Sequence, residues 1–167
     1  MATVTLRGTE IHTCGTLPAP GTAAPDFLLV DGRLEERRLA DFRGRRKLLY
    51  IVPSLDTPVC AATTRRLDQQ APADTDLLVI SADLPFAQQR FCKQAGLQRV
   101  TPLSMMRSRK FAEDYGVLMV DGPLAGLAAR ALLVLDEGEQ VLHGELVAEI
   151  TREPDYQRAF AALRGED

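Results

Sequence analysis

The chain has 167 residues, of which 46% are hydrophobic and 26% are charged, and this composition is ordinary for one globular domain with a full core. Its net charge of -3 argues weakly against nucleic acid as the main partner, and no apolar run approaches the length of a membrane span. The N-terminal residues lack the basic start and long apolar stretch of a secretory signal, so we expect a cytoplasmic protein without a membrane partner.

The first part of the chain is predicted to form two strand pairs. Residues 4–6 and 10–12 flank a glycine-containing turn, which indicates a small N-terminal hairpin. Residues 14–25 are rich in proline, glycine, threonine and alanine and predict an irregular connector. The apolar residues 27–30, followed by an Asp-Gly turn and a stretch that ends at residues 38–39, predict a second pair.

Strands and helices alternate in the middle of the chain. Residues 48–52 form a continuous apolar run, which is typical of a central strand covered on both faces, and a helix follows over residues 60–70. Residues 77–81 predict a second buried strand. Residues 85–95 predict a helix, because a proline stands at its start and a glycine follows its end. A short strand is expected over residues 99–103.

The last third completes the sheet. Residues 108–115 predict a helix, residues 131–135 a strand that pairs as a hairpin with residues 140–147, and residues 155–163 a final helix. Alternation of strands and helices implies parallel strands, and the late hairpin adds an antiparallel edge. We therefore expect one α/β domain over residues 1–167: a thioredoxin-like fold with a central mixed β-sheet flanked by helices and an N-terminal β-hairpin extension.

One cysteine occupies a position suited to thiol chemistry. The apolar strand ends at Pro53, and Thr57 stands three residues before Cys60 at the start of a helix. The positive end of a helix and its free N–H groups stabilise an anion, so a cysteine there can be a thiolate at neutral pH. The thiolate is the nucleophilic form of a cysteine.

The remaining cysteines and histidines exclude several other kinds of site. The three cysteines are widely spaced and form no CxxC motif, so neither a disulfide scaffold nor a general dithiol oxidoreductase is indicated. His12 and His143 are far apart in the sequence and give no local metal-ligand pattern. These residues therefore indicate no metal site.

The motif Pro-x-x-x-Thr-x-x-Cys is present as Pro53, Thr57 and Cys60, and further stretches along the chain share one pattern. These stretches are Ser81-Ala82-Asp83-Leu84-Pro85-Phe86-Ala87-Gln88, Arg90-Phe91-Cys92, Tyr115-Gly116-Val117, Asp121-Gly122-Pro123-Leu124, Gly126-Leu127-Ala128-Ala129-Arg130-Ala131, Glu149-Ile150-Thr151 and Glu153-Pro154-Asp155-Tyr156. Together they make nearly the whole chain resemble the thiol peroxidases, a branch of the peroxiredoxins. The departures are Cys14, which the family mechanism does not use, and Met105-Met106.

The resemblance implies a role for five residues. Cys60 is the peroxidatic cysteine, whose thiolate attacks a hydroperoxide and becomes a sulfenic acid. Cys92 is the resolving cysteine, which forms an intrachain disulfide with Cys60. Thr57 and Arg130 orient the thiolate and the peroxide, and Pro53 shapes the loop and shields the sulfur from water.

Each residue also has a plain structural interpretation when it is considered alone. A lone cysteine such as Cys60 or Cys92 is often a small buried hydrophobe. Thr57 could cap the following helix, Pro53 could simply end the strand, and Arg130 could form an ion pair with Asp or Glu.

The resemblance implies a peroxidase that reduces hydrogen peroxide and organic hydroperoxides without a metal, haem or flavin. It also implies that thioredoxin or a similar dithiol protein re-reduces the enzyme and that the enzyme forms a homodimer. Because two cysteines on separate helices are too far apart for a disulfide, we also expect local unwinding around both. Two alternatives are a non-enzymatic thiol redox sensor and a thioredoxin-fold interaction module with inert cysteines.

Overall fold

The structure, a computed structural model, describes residues 1–166 and is built around a seven-stranded mixed sheet. In their order across the sheet the strands are β4 (Glu36–Arg38), β3 (Leu28–Val30), β7 (Val100–Ser104), β6 (Thr75–Ser81), β5 (Arg46–Ile51), β8 (Ala131–Leu135) and β9 (Val141–Leu146). A separate two-stranded hairpin consists of β1 (Thr3–Leu6) and β2 (Thr9–His12). The helices are α1 (Pro58–Gln70), α2 (Pro85–Ala95), α3 (Lys110–Asp114) and α4 (Tyr156–Leu163), and a 3-10 turn covers Leu39–Phe42.

The pairing of the strands follows from the connections between them. β5, β6 and β7 are parallel and are joined by the crossover helices α1 and α2. β8 is antiparallel to β5, and β9 pairs with β8 as the edge hairpin. This arrangement confirms the predicted α/β thioredoxin-like fold with its central mixed sheet and N-terminal hairpin.

The central strand β5 is buried on both faces, so its alternating side chains enter two different cores. Leu49 and Ile51 join the core on the side of α3. Leu48 and Tyr50 point to the opposite side, where they pack with residues of α1 and α4. The aromatic ring of Tyr50 is thereby brought to the same core as Cys60.

Two element boundaries differ from the sequence-based expectation, and one strand pairing goes beyond it. Helix α1 begins at Pro58 rather than at residue 60, because a proline is well tolerated in the first turn. Helix α3 is shorter than residues 108–115. The β3–β4 pair forms as the sequence predicts, and β3 also joins the central sheet through one bridge between Val30 and Ser104, a contact that the sequence alone does not indicate.

The N-terminal hairpin packs against the segment that follows β9. Val4 and Ile11 form a small core with Met119, Ala129 and Ile150. Within the described residues, no helix combines the length and apolar character that a bilayer crossing requires.

Candidate active site

Cys60 lies in the first turn of α1 and is completely buried. Thr57 occupies the N-cap position with an extended backbone, and Pro58 follows as the first helical residue. The N–H of Cys60 bonds to the carbonyl of Thr57 at 3.2 Å, which closes the first turn. The sulfur therefore lies at the positive end of the helix, as the sequence predicted.

The loop between β5 and α1 begins at Pro53, which is buried. The N–H of the preceding residue, Val52, still bonds to the carbonyl of Ile80 at 3.0 Å. Pro53 has no N–H to continue this pairing, so the chain leaves the sheet there and turns towards Thr57. Pro53 thus ends the strand, and its ring is a buried apolar group at the start of the loop between β5 and α1.

The hydroxyl of Thr57 faces the sulfur directly. Its Oγ1 lies 2.8 Å from Sγ of Cys60 and 3.1 Å from the carbonyl oxygen of Ser54. Thr57 is the N-cap residue, as its alternative interpretation expected, but its side chain makes no capping hydrogen bond with α1 and faces the sulfur instead. A hydroxyl has one proton, which it can donate to a thiolate, or to the Ser54 carbonyl when the sulfur is itself a donor.

Arg130 immediately precedes β8 and has only 1% of its surface exposed. Its Nε donates to the carbonyl of Ile150 at 2.9 Å, and its Nη1 donates to the hydroxyl of Tyr50 at 2.8 Å and to Sγ of Cys60 at 2.9 Å. None of the ion pairs within residues 1–166 involves Arg130, so the predicted alternative of a structural carboxylate partner receives no support.

The charge of Arg130 is retained despite its burial. Burial alone would lower the pKa of this guanidinium, but the neighbouring Tyr50 and Cys60 outweigh that effect, and the pKa is raised above its ordinary value. A permanently charged donor therefore points at the sulfur. With the Thr57 hydroxyl, it makes two donors that converge on Cys60.

Tyr50 is a site residue that the sequence analysis missed, because it lies within an apolar run and was counted as core. Burial raises its pKa to about 12; Arg130 opposes this shift and Cys60 adds to it. At neutral pH Tyr50 is thus an uncharged phenol whose oxygen accepts from Arg130. The hydroxyl of Tyr50 is the feature that indicates more than a core residue, because a buried tyrosine hydroxyl needs a hydrogen-bond partner.

Cys92 is not joined to Cys60 by a disulfide. It is partly exposed on α2, and all three cysteines are free thiols. Burial, with a contribution from the charge of Asp68, raises the pKa of Cys92 to about 11. Asp68 lies eight residues beyond Cys60, which is roughly 12 Å along a helix. Cys92 therefore lies within reach of the charge of Asp68, while its neighbours Phe91 and Gln94 line a cavity beside the first turn of α1.

An open cavity of about 330 Å³ lies between the start of α1 and the second half of α2. Its lining includes Thr57, Pro58, Ala61, Arg65, Phe91 and Gln94. It connects the surface beside the Cys60 turn with the helix that carries Cys92, and its wall combines apolar groups with one basic and one acidic residue, Arg65 and Asp56. Cys14, in contrast, is exposed and lies beside the carbonyl oxygens of α3.

Comparison with known proteins identifies the family of this chain. The model of the Redoxin family matches residues 19–160. Proteins described as thiol peroxidase from Mycobacterium bovis and Mycobacterium tuberculosis are 50% identical to the chain over 164 residues, which is 98% of this chain and 99% of theirs. The chain belongs to the thiol peroxidases of the Redoxin family. It is thus a peroxiredoxin enzyme, as the resemblance implied, and the two non-peroxidase alternatives are disfavoured.

Solved structures of other peroxiredoxins agree with this family membership. A peroxiredoxin-like protein from Aquifex aeolicus superposes with a TM-score of 0.92 at 36% identity, covering 99% of this chain and 97% of that one. A thiol peroxidase from Chromobacterium violaceum gives a TM-score of 0.88 at 27% identity, covering 98% and 95%. The N-terminal hairpin and the central sheet of this thiol peroxidase are therefore present in both comparisons over nearly the full length.

Proposed function

We propose that this thiol peroxidase reduces hydrogen peroxide and organic hydroperoxides in a two-cysteine cycle in which Cys60 attacks and Cys92 resolves. The observation that carries the proposal is the convergence of Thr57 and Arg130 on the sulfur of Cys60, at 2.8 and 2.9 Å. Fixed donors at a buried thiolate supply a preorganised site for a reaction that moves negative charge from sulfur to oxygen.

In the first step the Cys60 thiolate attacks one oxygen of the peroxide and the O–O bond breaks. The sulfur becomes a sulfenic acid, and the departing oxygen takes a proton and leaves as water or an alcohol. Arg130 and Thr57 hold the thiolate before attack and donate to the oxygens as charge develops on them. Pro53 keeps water away from the sulfur.

In the second step the thiol of Cys92 attacks the sulfenic sulfur of Cys60, forming a disulfide and releasing water. A disulfide requires Cα atoms about 4.4–6.8 Å apart. Cys60 and Cys92 are free thiols on two separate helices, which supports the expectation that the first turn of α1 and the second half of α2 unwind before this step. The cavity between the two helices offers room for that movement.

In the third step thioredoxin, or a similar dithiol protein, exchanges its two thiols for the Cys60–Cys92 disulfide and restores both cysteines. The need for such a reductant supports a cytoplasmic location. The apolar part of the cavity wall, with Phe91 and Ala61, supports the inclusion of alkyl and lipid hydroperoxides. We further propose that residues 1–167 act as one thioredoxin-fold unit and pair as a homodimer, as the family resemblance implies.

Peroxide-dependent oxidation of NADPH in the presence of thioredoxin and thioredoxin reductase tests this cycle. The wild-type protein is compared with Cys60→Ser, Cys92→Ser and, as the control, Cys14→Ser, since Cys14 lies beside α3 and away from the site. We expect turnover in the wild type and in Cys14→Ser and none in the other two. Full turnover in Cys92→Ser would contradict the resolving role of Cys92, and absence of turnover in the wild type would contradict thioredoxin as the reductant.

A further inference from the structure

One carboxylate joins the loop in front of α1 to the strand that leads into α2. Asp83 lies just after β6, and its carboxylate accepts three hydrogen bonds. The donors are the hydroxyl of Ser54 at 2.8 Å, the main-chain N–H of Leu55 at 2.8 Å and the hydroxyl of Ser81 at 2.7 Å. Two of these donors belong to the loop between β5 and α1, and the third belongs to β6.

On the first side, this carboxylate fixes the loop that positions the reacting sulfur. The hydroxyl of Ser54, held by Asp83, also accepts from the N–H of Asp56 at 3.1 Å. The carbonyl of Ser54 lies 3.1 Å from the hydroxyl of Thr57, which in turn faces Cys60. Movement of Ser54 away from Asp83 would therefore displace the hydroxyl that contacts the sulfur.

On the second side, the same carboxylate is connected to α2. The hydroxyl of Ser81 donates to Asp83 and accepts from Nε2 of Gln88 at 3.0 Å. Nε2 of Gln88 also donates to the carbonyl of Leu103 at 3.0 Å, and the Gln88 side chain is completely buried. Gln88 precedes Cys92 by four residues, which is about one helical turn.

The main chain of Asp83 is itself fixed at the end of the sheet. Its carbonyl accepts from the hydroxyl of Ser104 at 2.6 Å, and its N–H donates to the hydroxyl of Ser81 at 3.3 Å. The main chain of Asp83 is therefore held at the end of the sheet. The segments that must move are the loop before α1, on one side, and helix α2, on the other. A polar group held in this way acts as one element of a connected network.

We propose that Asp83 is a positioning residue that holds the Cys60 loop and the Cys92 helix together in the reduced arrangement. This inference rests on the proposed Cys60–Cys92 disulfide, because its formation requires the loop to leave Asp83. The bonds from Ser54 and Leu55 to the carboxylate break when the disulfide forms, and they form again after reduction.

Asp83 thereby controls two competing fates of the sulfenic acid. In one, Cys92 attacks the sulfur and water leaves; in the other, a second hydroperoxide oxidises the sulfenic acid to sulfinic acid and is itself reduced to water or an alcohol. A loop held firmly by Asp83 keeps Thr57 in place for the first attack on peroxide but delays the approach of Cys92. Weakening this contact should slow the first attack and accelerate disulfide formation.

The test is Asp83→Asn, with Ser54→Ala as a second, milder variant that removes one of the three donors. Asp136→Asn is the matched control, because Asp136 also accepts main-chain N–H bonds, from Gly138 at 2.9 Å and Gln140 at 2.8 Å, in the distant β8–β9 turn. Each protein is mixed with hydrogen peroxide, quenched at short times with a thiol-blocking reagent, and analysed by mass spectrometry for thiol, sulfenic acid, disulfide and sulfinic acid.

The wild-type protein is measured first, and its oxidised form must contain the Cys60–Cys92 disulfide. If it does not, the proposed function fails before any variant of Asp83 is considered. Given the disulfide, we expect Asp83→Asn to slow sulfenic acid formation by roughly tenfold, since a hydrogen bond to a charged group contributes a factor of that order. We expect disulfide formation to be faster, and the peroxide concentration that produces half-maximal sulfinic acid to be higher.

Ser54→Ala should change both rates in the same two directions by a smaller factor, and Asp136→Asn should match the wild type. Because general destabilisation would also favour local unwinding, the free energy of unfolding of every variant is measured in denaturant, and Asp136→Asn, which loses main-chain hydrogen bonds away from the site, must change neither rate. If both rates of Asp83→Asn and Ser54→Ala equal those of the wild type, or fall together in both variants, the proposal for Asp83 is overturned while the disulfide cycle stands.

Discussion

The Nη1 atom of Arg130 lies 2.9 Å from the sulfur of Cys60, although 70 residues separate the two in the chain. The same guanidinium is held by the hydroxyl of Tyr50 and the carbonyl of Ile150. Its orientation is therefore fixed by groups from one strand, β5, and one loop before any substrate arrives. A donor fixed in this way needs no reorganisation during the reaction.

Replacement of Arg130 by lysine should nearly abolish attack on peroxide. Lysine keeps the charge but lacks the planar fork that reaches Ile150, Tyr50 and Cys60 at once. We expect the second-order rate constant for peroxide consumption to fall by about 10²–10³, the effect of removing one preorganised donor. The control is Arg46→Lys, because Arg46 also donates to main-chain carbonyls but lies at the other end of β5. Equal rates in the two variants would contradict a role specific to Arg130.

Replacement of Tyr50 by phenylalanine removes one oxygen from the partners of Arg130 and leaves the ring in place. We expect the rate of peroxide attack to fall by roughly tenfold and the free energy of unfolding to fall by about 1.5–3 kcal/mol, since one hydrogen bond to a charged group is lost. The matched control is Tyr115→Phe, because the hydroxyl of this buried tyrosine donates to the carbonyl of Pro25 away from the site. Denaturant unfolding should show a loss of stability in both variants. Stopped-flow kinetics should show a loss of reactivity with peroxide only in Tyr50→Phe.

Two substitutions of Thr57 separate the effect of its side-chain shape from the effect of its hydroxyl. Thr57→Val keeps the shape of the side chain and removes the hydroxyl, whereas Thr57→Ser keeps the hydroxyl that lies 2.8 Å from the sulfur. We expect valine to reduce the rate constant for peroxide attack by about 10², and serine to retain most of it. Equal activity in Thr57→Val and the wild type, measured by peroxide consumption at neutral pH, would show that the hydroxyl does not contribute.

The pH dependence of the resolving step reports whether α2 unwinds first. In the folded helix, burial and Asp68 raise the pKa of Cys92 to about 11, so the nucleophilic thiolate is scarce until very alkaline pH. In an unwound segment the thiol should titrate near about 8.5, as in a free peptide. We expect the rate of disulfide formation to rise with pH and to level off near the free-thiol value. A continued rise towards pH 11 would instead indicate attack from the intact helix.

The stability of the N-terminal hairpin should depend on Glu149. Its carboxylate accepts from the N–H groups of Thr151, Arg7 and Gly8, and the Thr151 N–H contributes most to lowering the pKa of Glu149 to about 2. Because the folded pKa is lowered, this contribution to stability is present above the unfolded value of about 4.3 and is lost as the pH falls towards 2.

Glu149→Gln should therefore be less stable than the wild type at neutral pH, and should lose less stability between about pH 4.3 and pH 2. Denaturant midpoints measured across this range give both quantities, with the exposed Glu35→Gln as the control. Since the backbone of Ile150 follows Glu149 and accepts from Arg130, the rate of peroxide attack should also fall in Glu149→Gln. If the stability of Glu149→Gln changed with pH in the same way as that of the wild type, this account of Glu149 would be contradicted.

Local signals in the sequence were sufficient to predict most helices and strands. Helix α2 was predicted at both ends, because Pro85 suits the first helical position and Gly96 adopts the left-handed conformation, with φ of 68°, that ends the helix. The start of α1 was placed too late, since Cys60 was taken as the opening residue although Pro58 already begins the helix. Both outcomes depend on residues adjacent to the helix ends.

The rest of the site depends on contacts between distant parts of the chain, which a single sequence does not display. Tyr50 resembles any other core residue of β5 until Arg130 is placed beside it, and 80 residues separate the two. Ile150 contributes only a main-chain carbonyl, for which its side chain gives no signal. In the sequence Asp83 is one residue of a stretch typical of the family, and its role is not visible there because its partners Ser54 and Leu55 belong to another loop.

The central claim is that the sulfenic acid of Cys60 is resolved by Cys92 within the same chain. The most direct measurement is peptide mapping by mass spectrometry of protein treated with about one equivalent of hydrogen peroxide, with and without a sulfenic acid trap, in wild type and Cys92→Ser. We predict an intrachain Cys60–Cys92 disulfide in the wild type, and a trapped sulfenic acid at Cys60 in Cys92→Ser. A disulfide through Cys14, or an unmodified Cys60 after the peroxide is consumed, would contradict the account.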